Sequence, residues 1–189
     1  MMKITTKHLV QTALLLAICI ASQYFKNLSV YITGPIVNAT IIIAVLSVGL
    51  FSGLLLSIIA PITAFFFTGS PIMAAIPLMF PAIMAGNAIL AVSVWFFKER
   101  TSLKLKLPVG MILGSIAKAV FMGILIVLIL LPAFGDQIAS KLPKPEALPA
   151  VLQTARITFS VTQLTTALIG SLIAYLIWLP LSRYLKSEE

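Results

Sequence analysis

The sequence predicts an all-α membrane protein of six transmembrane helices in a single domain spanning residues 1–189, and three observations carry that prediction. Sixty per cent of the residues are hydrophobic, only 10% are charged, and mean hydropathy is +1.13. A soluble globular domain carries about a quarter charged residues. The apolar residues form long runs, each near the roughly 20 residues a helix needs to cross a bilayer core. The basic residues, finally, gather on one side of those runs. Lys3, Lys7, Lys98, Arg100, Lys104, Lys106, Arg183 and Lys186 fall on the side of the chain termini, against Lys26, Lys141 and Lys144 on the other. This positive-inside bias predicts that both termini are cytoplasmic, as an even number of crossings requires.

The elements follow in order. Helix one is expected over residues 7–25, with a mixed polar and aromatic loop, KNLSVYITG, after it. A cleaved leader is not expected, because the first run is long and ends in aromatic residues. Helix two is expected over 35–50, opening on Pro35, a favoured first-turn residue. Ser52-Gly53 then makes a tight turn into helix three, 53–68. Gly69-Ser70-Pro71 forms an outer turn. The stretch 71–97 is long for one crossing and holds Pro77 and Pro81. Proline removes a backbone hydrogen bond and disturbs the preceding turn, so 71–81 reads as a broken element and 81–97 as regular helix four. Irregular backbone at membrane depth is tolerated only inside protein or against a cavity, which makes 71–81 a candidate cavity wall. The basic loop KERTSLKLK (98–106) leads to helix five, 108–134. A polar, proline-bearing connection, 135–153, leads to helix six, 154–181.

Several function classes drop out. The formal charge of +8 is spread between apolar runs and marks topology, so nucleic acid is not an expected partner. The single histidine, His8, and single cysteine, Cys19, leave no Ser/His pair, metal cluster or disulfide. The acidic residues Glu99, Asp136, Glu146, Glu188 and Glu189 all lie outside the apolar runs. That removes a paired-carboxylate site and an intramembrane acid for proton coupling. No glycine loop followed by Lys-Ser/Thr is present for ATP. An enzyme is not expected, nor a bound cofactor or metal, and energy for any uphill transport must come from elsewhere.

Ionisable and amide side chains at membrane depth are costly and mark functional sites by default. Asn87, Lys118 and Gln163 lie on three successive helices at depths that allow them to meet. A lysine with two amides suits a small polar ligand carrying a carboxylate or carbonyls. The competing arrangement has Lys118 snorkelling to the cytoplasm along a groove made by Gly110 and Gly114. On helix six, Arg156, Ser160, Gln163, Ala167, Gly170 and Ala174 follow steps of four and three and so make one stripe, polar in its outer half and small in its inner half. Tyr24 and Tyr31 are placed either to close a pocket from the first loop or to anchor the interface, the role that Trp95 and Trp178 read as having.

Residues 12–21, TALLLAICIA, repeat alanine every four residues: Ala13, Ala17 and Ala21. On a helix these share one face, and a strip of small side chains lets another helix approach closely in lipid. That partner is either the protein's own bundle or a separate membrane protein.

Together, the size, the six helices with both ends inside, the strip Ala13-x-x-x-Ala17-x-x-x-Ala21, and the segments GPIVNA (34–39) and GNA (86–88) resemble the substrate-binding S components of energy-coupling factor (ECF) transporters. The resemblance covers essentially the whole chain. It implies a bacterial-type plasma membrane location and a vitamin or related micronutrient as the small-molecule ligand. That ligand is bound in the outer half between helices four to six and the loops after helices one, three and five. It implies docking of the alanine strip on a transmembrane T component driven by two cytoplasmic ATPases. Asn38, within GPIVNA, then joins Tyr31, Asn87, Lys118, Arg156, Ser160 and Gln163 in the expected binding set, and Lys118 with Arg156 favours an anionic or carboxylate-bearing ligand. The alternatives are a ligand-free membrane scaffold of the cell-shape type and a small stand-alone carrier.

Overall fold

A computed structural model describes residues 5–25, 29–102 and 105–187, and every regular element among them is helical. Lys3, Lys26 and Lys104 of the topology count, and Glu188 and Glu189, lie outside the described residues. Among the described residues, five helices are long and apolar enough to cross a membrane: Val30–Ser47, Leu50–Thr68, Met79–Arg100, Lys106–Ala133 and Pro145–Leu185. α1 (Thr6–Tyr24) precedes them. Its 19 residues rise about 28 Å at 1.5 Å each, but it carries more polar side chains.

α2 (Val30–Ser47) is the axis of the bundle. Ile41 to Leu46 are buried on every side of the helix, a pattern that period 3.6 alone does not produce and that marks an element enclosed all round. α1, α3, α5 and α10 all pack against it. The helix begins at Val30 rather than at Pro35, because Ser29 supplies the start: its hydroxyl accepts from the Tyr31 amide at 3.1 Å. Pro35 is therefore interior, where its missing N–H frees the Tyr31 carbonyl.

The turn into α3 (Leu50–Thr68) is made by Gly49, not by Ser52-Gly53. Gly49 has φ 135°, a backbone conformation that side-chain-bearing residues rarely adopt. Gly53 sits inside α3 for a different reason: a Cβ there would lie 2.3 Å from a Val45 methyl. Ser52 is buried and its hydroxyl meets Thr12 of α1 at 2.8 Å. α3 ends on Gly69 at φ 55°, a left-handed cap. Ser70 then caps α4 (Pro71–Ala75), with Pro71 in its first turn. The chain breaks at Ile76–Leu78 and restarts as α5 (Met79–Arg100), so the proline-bearing segment is two helices with a kink between them.

α6 (Lys106–Met122) continues through a π-helical stretch, Gly123–Leu130, into α7 (Leu131–Ala133). The connection expected over 135–153 is itself largely helical, with α8 (Gly135–Lys141), a 3₁₀ turn at Pro145–Ala147 and the start of α9 (Leu148–Ile157). α9 begins six residues before 154 because Pro149 occupies its first turn, where a missing N–H costs nothing. A second π turn, Thr158–Thr162, joins α9 to α10 (Gln163–Ser187), and the two π segments pack against each other.

The apolar core has two parts. One surrounds α2, α3, α5 and α6 towards the chain termini, with Ile41, Ile42, Leu56, Leu90 and Met111 fully buried. The other gathers α4, the first turn of α5, the π stretch after α6, α8 and α9 at the distal end, around Ile76, Met79, Ile126 and Ile138. The cavities described next lie beside this distal part.

Candidate functional site

Lys118 is buried, at 2% exposure. Its Nζ donates to Asn38 Oδ1 at 2.6 Å and to Asn87 Oδ1 at 2.7 Å, lengths typical of charge-assisted hydrogen bonds. Three helices, α2, α5 and α6, thus meet at one ammonium group. The local sequence explains each placement. Asn38 is pressed against α10 by a helix crossing so close that a Cβ on Gly170 would lie 2.7 Å from Asn38 Cβ and 2.7 Å from the Pro35 carbonyl. Its Nδ2 donates to the Gly34 carbonyl at 2.9 Å, which turns Oδ1 towards Lys118. Asn87 follows Gly86, where a Cβ would meet the Met122 side chain at 2.8 Å. That close α5–α6 contact brings the amide to the lysine. No glycine groove is open for Lys118 to snorkel along: the Gly110 face is filled by Phe97 and the Gly114 face by Ser93 and Leu90.

The lysine–amide cluster forms the wall of a cavity of ≈ 120 Å³. Asn38, Asn87, Lys118 and Gln163 line it together with Gln23, Thr33 and Thr166. Apolar walls come from α3 (Ala60, Pro61, Ala64), and Met73 of α4 adds to them. A second, larger chamber of ≈ 470 Å³ lies against it, lined by α4, α9 and the second π turn. The two share Val30, Met73, Thr158 and Phe159 as lining residues, so they adjoin there. The irregular backbone at 71–81 and at 158–162 therefore borders the chambers, consistent with π turns recurring at functional sites.

The other expected residues sit differently. Tyr31 belongs to the first turn of α2 rather than to a loop. It is exposed, its hydroxyl is 3.4 Å from Thr162 Oγ1, and it lines neither chamber. Arg156 is exposed and Ser160 half-buried, its hydroxyl donating back to the Arg156 carbonyl, and neither lines a chamber. The reason is the π turn: it adds a residue to one turn of the helix, so the phase carried from Ala174 back through Gly170 and Ala167 is lost before Arg156. Ala155 is the buried residue on that face instead. Gln23, Thr33 and Thr166 were not legible as site residues, since each reads in sequence as an ordinary helix-end or helix-back-bonding side chain.

Among the described residues the site holds one basic side chain and no acidic one. Among the described acidic residues, Glu99 pairs with Lys98 at 3.2 Å, while Asp136 and Glu146 lie in the short distal elements. Holding an ammonium out of water costs several kcal/mol, and two hydrogen bonds to it return roughly 1.5–3 kcal/mol each. A negative charge placed beside the ammonium would lower the cost of its burial further. Among the described residues no group of His, Cys, Asp and Glu side chains is positioned to hold a metal ion.

The alanine strip is on the outside of the molecule. Ala13, Ala17 and Ala21 are all exposed, on a face flanked by exposed Val10, Leu14 and Ile18. The inward face of α1 instead presents Thr12, Cys19, Ser22 and Gln23 to α2 and α3. The strip does not pack within the bundle.

No curated protein and no solved structure matches the chain. Residues 7–182 match the family described as the ECF transporter, substrate-specific component. That match covers nearly all of a helical membrane chain built around a buried polar cavity, and the protein belongs to this family of substrate-specific components of ECF transporters.

Proposed function

We propose that this chain captures a vitamin or related micronutrient from outside a bacterial-type plasma membrane and delivers it by docking on an ECF T component driven by two cytoplasmic ATPases. In this reading α1 is the first of six crossings, and both termini face the cytoplasm. The distal chamber then opens outward, and the lysine cavity lies beneath it in the outer half. Asn38, Asn87, Lys118 and Gln163 are the binding residues. Tyr31, Arg156 and Ser160 line neither chamber. The observation that carries the reading is the outward alanine strip. Exposed Val10, Leu14 and Ile18 flank the strip, and between them Ala13, Ala17 and Ala21 leave a line of small side chains along which a partner helix can approach closely. The chambers also weigh against a ligand-free scaffold, for which an outer half packed solid is expected.

The test is the double substitution Ala13→Trp with Ala17→Trp. Affinity capture from membranes co-expressing the T component and both ATPases is expected to recover the complex with the unaltered chain and to lose it with the double variant. Both forms are expected to give the same gel-filtration profile and melting temperature in detergent. A double variant that assembles normally rules out docking through this face.

A further inference from the structure

The lysine cavity also constrains what it binds; this inference rests on the binding-subunit reading and deepens it. An ammonium has three N–H donors. Two of those on Lys118 are taken by the amide oxygens of Asn38 and Asn87, which leaves the third for whatever enters the cavity that Lys118 lines. No carboxylate among the described residues reaches it. Among the described residues, the other cations of the distal half, Lys141, Lys144 and Arg156, line neither chamber. Among the described residues the site therefore offers one buried lysine, matched by a single negative charge. A doubly charged group would leave its second charge without a partner.

Size sets the orientation. Pockets for whole drug-sized ligands run to about 300–1,000 Å³. The lysine cavity, at ≈ 120 Å³, accommodates only a head group. The outer chamber, at ≈ 470 Å³, accommodates a body, and Ile72, Val151, Ala155 and Phe159 make much of its wall apolar. The two chambers adjoin at Val30, Met73, Thr158 and Phe159, which line both. We infer that the substrate is a small amphipathic monocarboxylate that enters charged end first, with its carboxylate on Lys118 and its apolar body in the outer chamber.

The experiment uses the full chain in lipid nanodiscs and two matched probe pairs, octanoate with octanamide and 3-phenylpropanoate with 3-phenylpropanamide. Calorimetric titration is expected to show each acid binding at least about tenfold more tightly than its amide, the factor that one hydrogen bond to a charged group supplies. Lys118→Gln is expected to erase that preference. Asn87→Asp is the second variant, because it gives the lysine an internal counter-charge. It is expected to fold, to melt no lower than the parent, and likewise to lose the preference for acids. Equal affinity for acid and amide, no binding of either acid, or an acid preference that survives in Asn87→Asp would each overturn the inference. Failure here with loss of assembly in the Ala13→Trp, Ala17→Trp chain removes the ligand class and leaves the docking subunit standing. Lysine-dependent acid binding with normal assembly of that double variant does the reverse.

Discussion

Two faces of this molecule carry small residues at helical spacing, and they have opposite fates. On α10, Ala167, Gly170 and Ala174 are buried, and Gly170 lies against the backbone of α2 at Pro35 and Ala39. On α1, Ala13, Ala17 and Ala21 are exposed. Both strips meet the same physical requirement, since without a hydrophobic drive between helices in lipid, close packing must supply the contact. The difference lies in what else the helix presents. α10 turns Thr166 and Ser171 inward beside its small residues, and these settle against Gly34 and Ser115. α1 turns its polar residues inward and leaves the alanines outside, with Thr12 joined to Ser52. A small-residue strip shows that a helix can be approached closely, and the remaining faces decide by what.

Three substitutions sharpen the comparison, all read by unfolding in mixed micelles. The largest effect is expected from Gly170→Leu. Its side chain collides with the Asn38 Cβ and with main-chain atoms of α2 that have no room to shift, so a loss of about 3 kcal/mol or more is expected. The Asn38–Lys118 contact is expected to fail with it. Thr12→Val removes the hydroxyl pair between α1 and α3 and is expected to cost about 0.5–1 kcal/mol, the usual worth of an interhelical hydrogen bond in a membrane protein. Ala17→Leu, on the outward strip, is expected to change stability by less than about 0.5 kcal/mol. If Ala17→Leu destabilised as much as Gly170→Leu, the two faces would not differ as described.

The site was partly legible in the sequence for a plain reason. Polar side chains are rare in apolar runs, so Asn87, Lys118 and Gln163 stood out, and the structure brings all three to one cavity. Asn38 was visible only as part of a segment, and its bond to Lys118 depends on the α2–α10 crossing. Thr33, Thr166 and Gln23 carried no signal that separates a cavity wall from an ordinary helix end. Arg156 and Ser160 fall on the stripe only if one period runs through a stretch where the helix changes its pitch.

The sequence by itself determined the membrane class, the helical content, the break between 71 and 81, the turn at Gly69-Ser70-Pro71, and the lack of an intramembrane acid. Those properties are local: hydropathy, proline and glycine act within a few residues of where they stand. Tertiary structure decided the turn at Gly49, the outward rotation of the alanine strip, the phase of α9 against α10, and the meeting of Asn38, Asn87 and Lys118. Each of these depends on how a helix is rotated about its axis. That rotation is set by the best mutual packing of four or five neighbours, and no single helix carries that information.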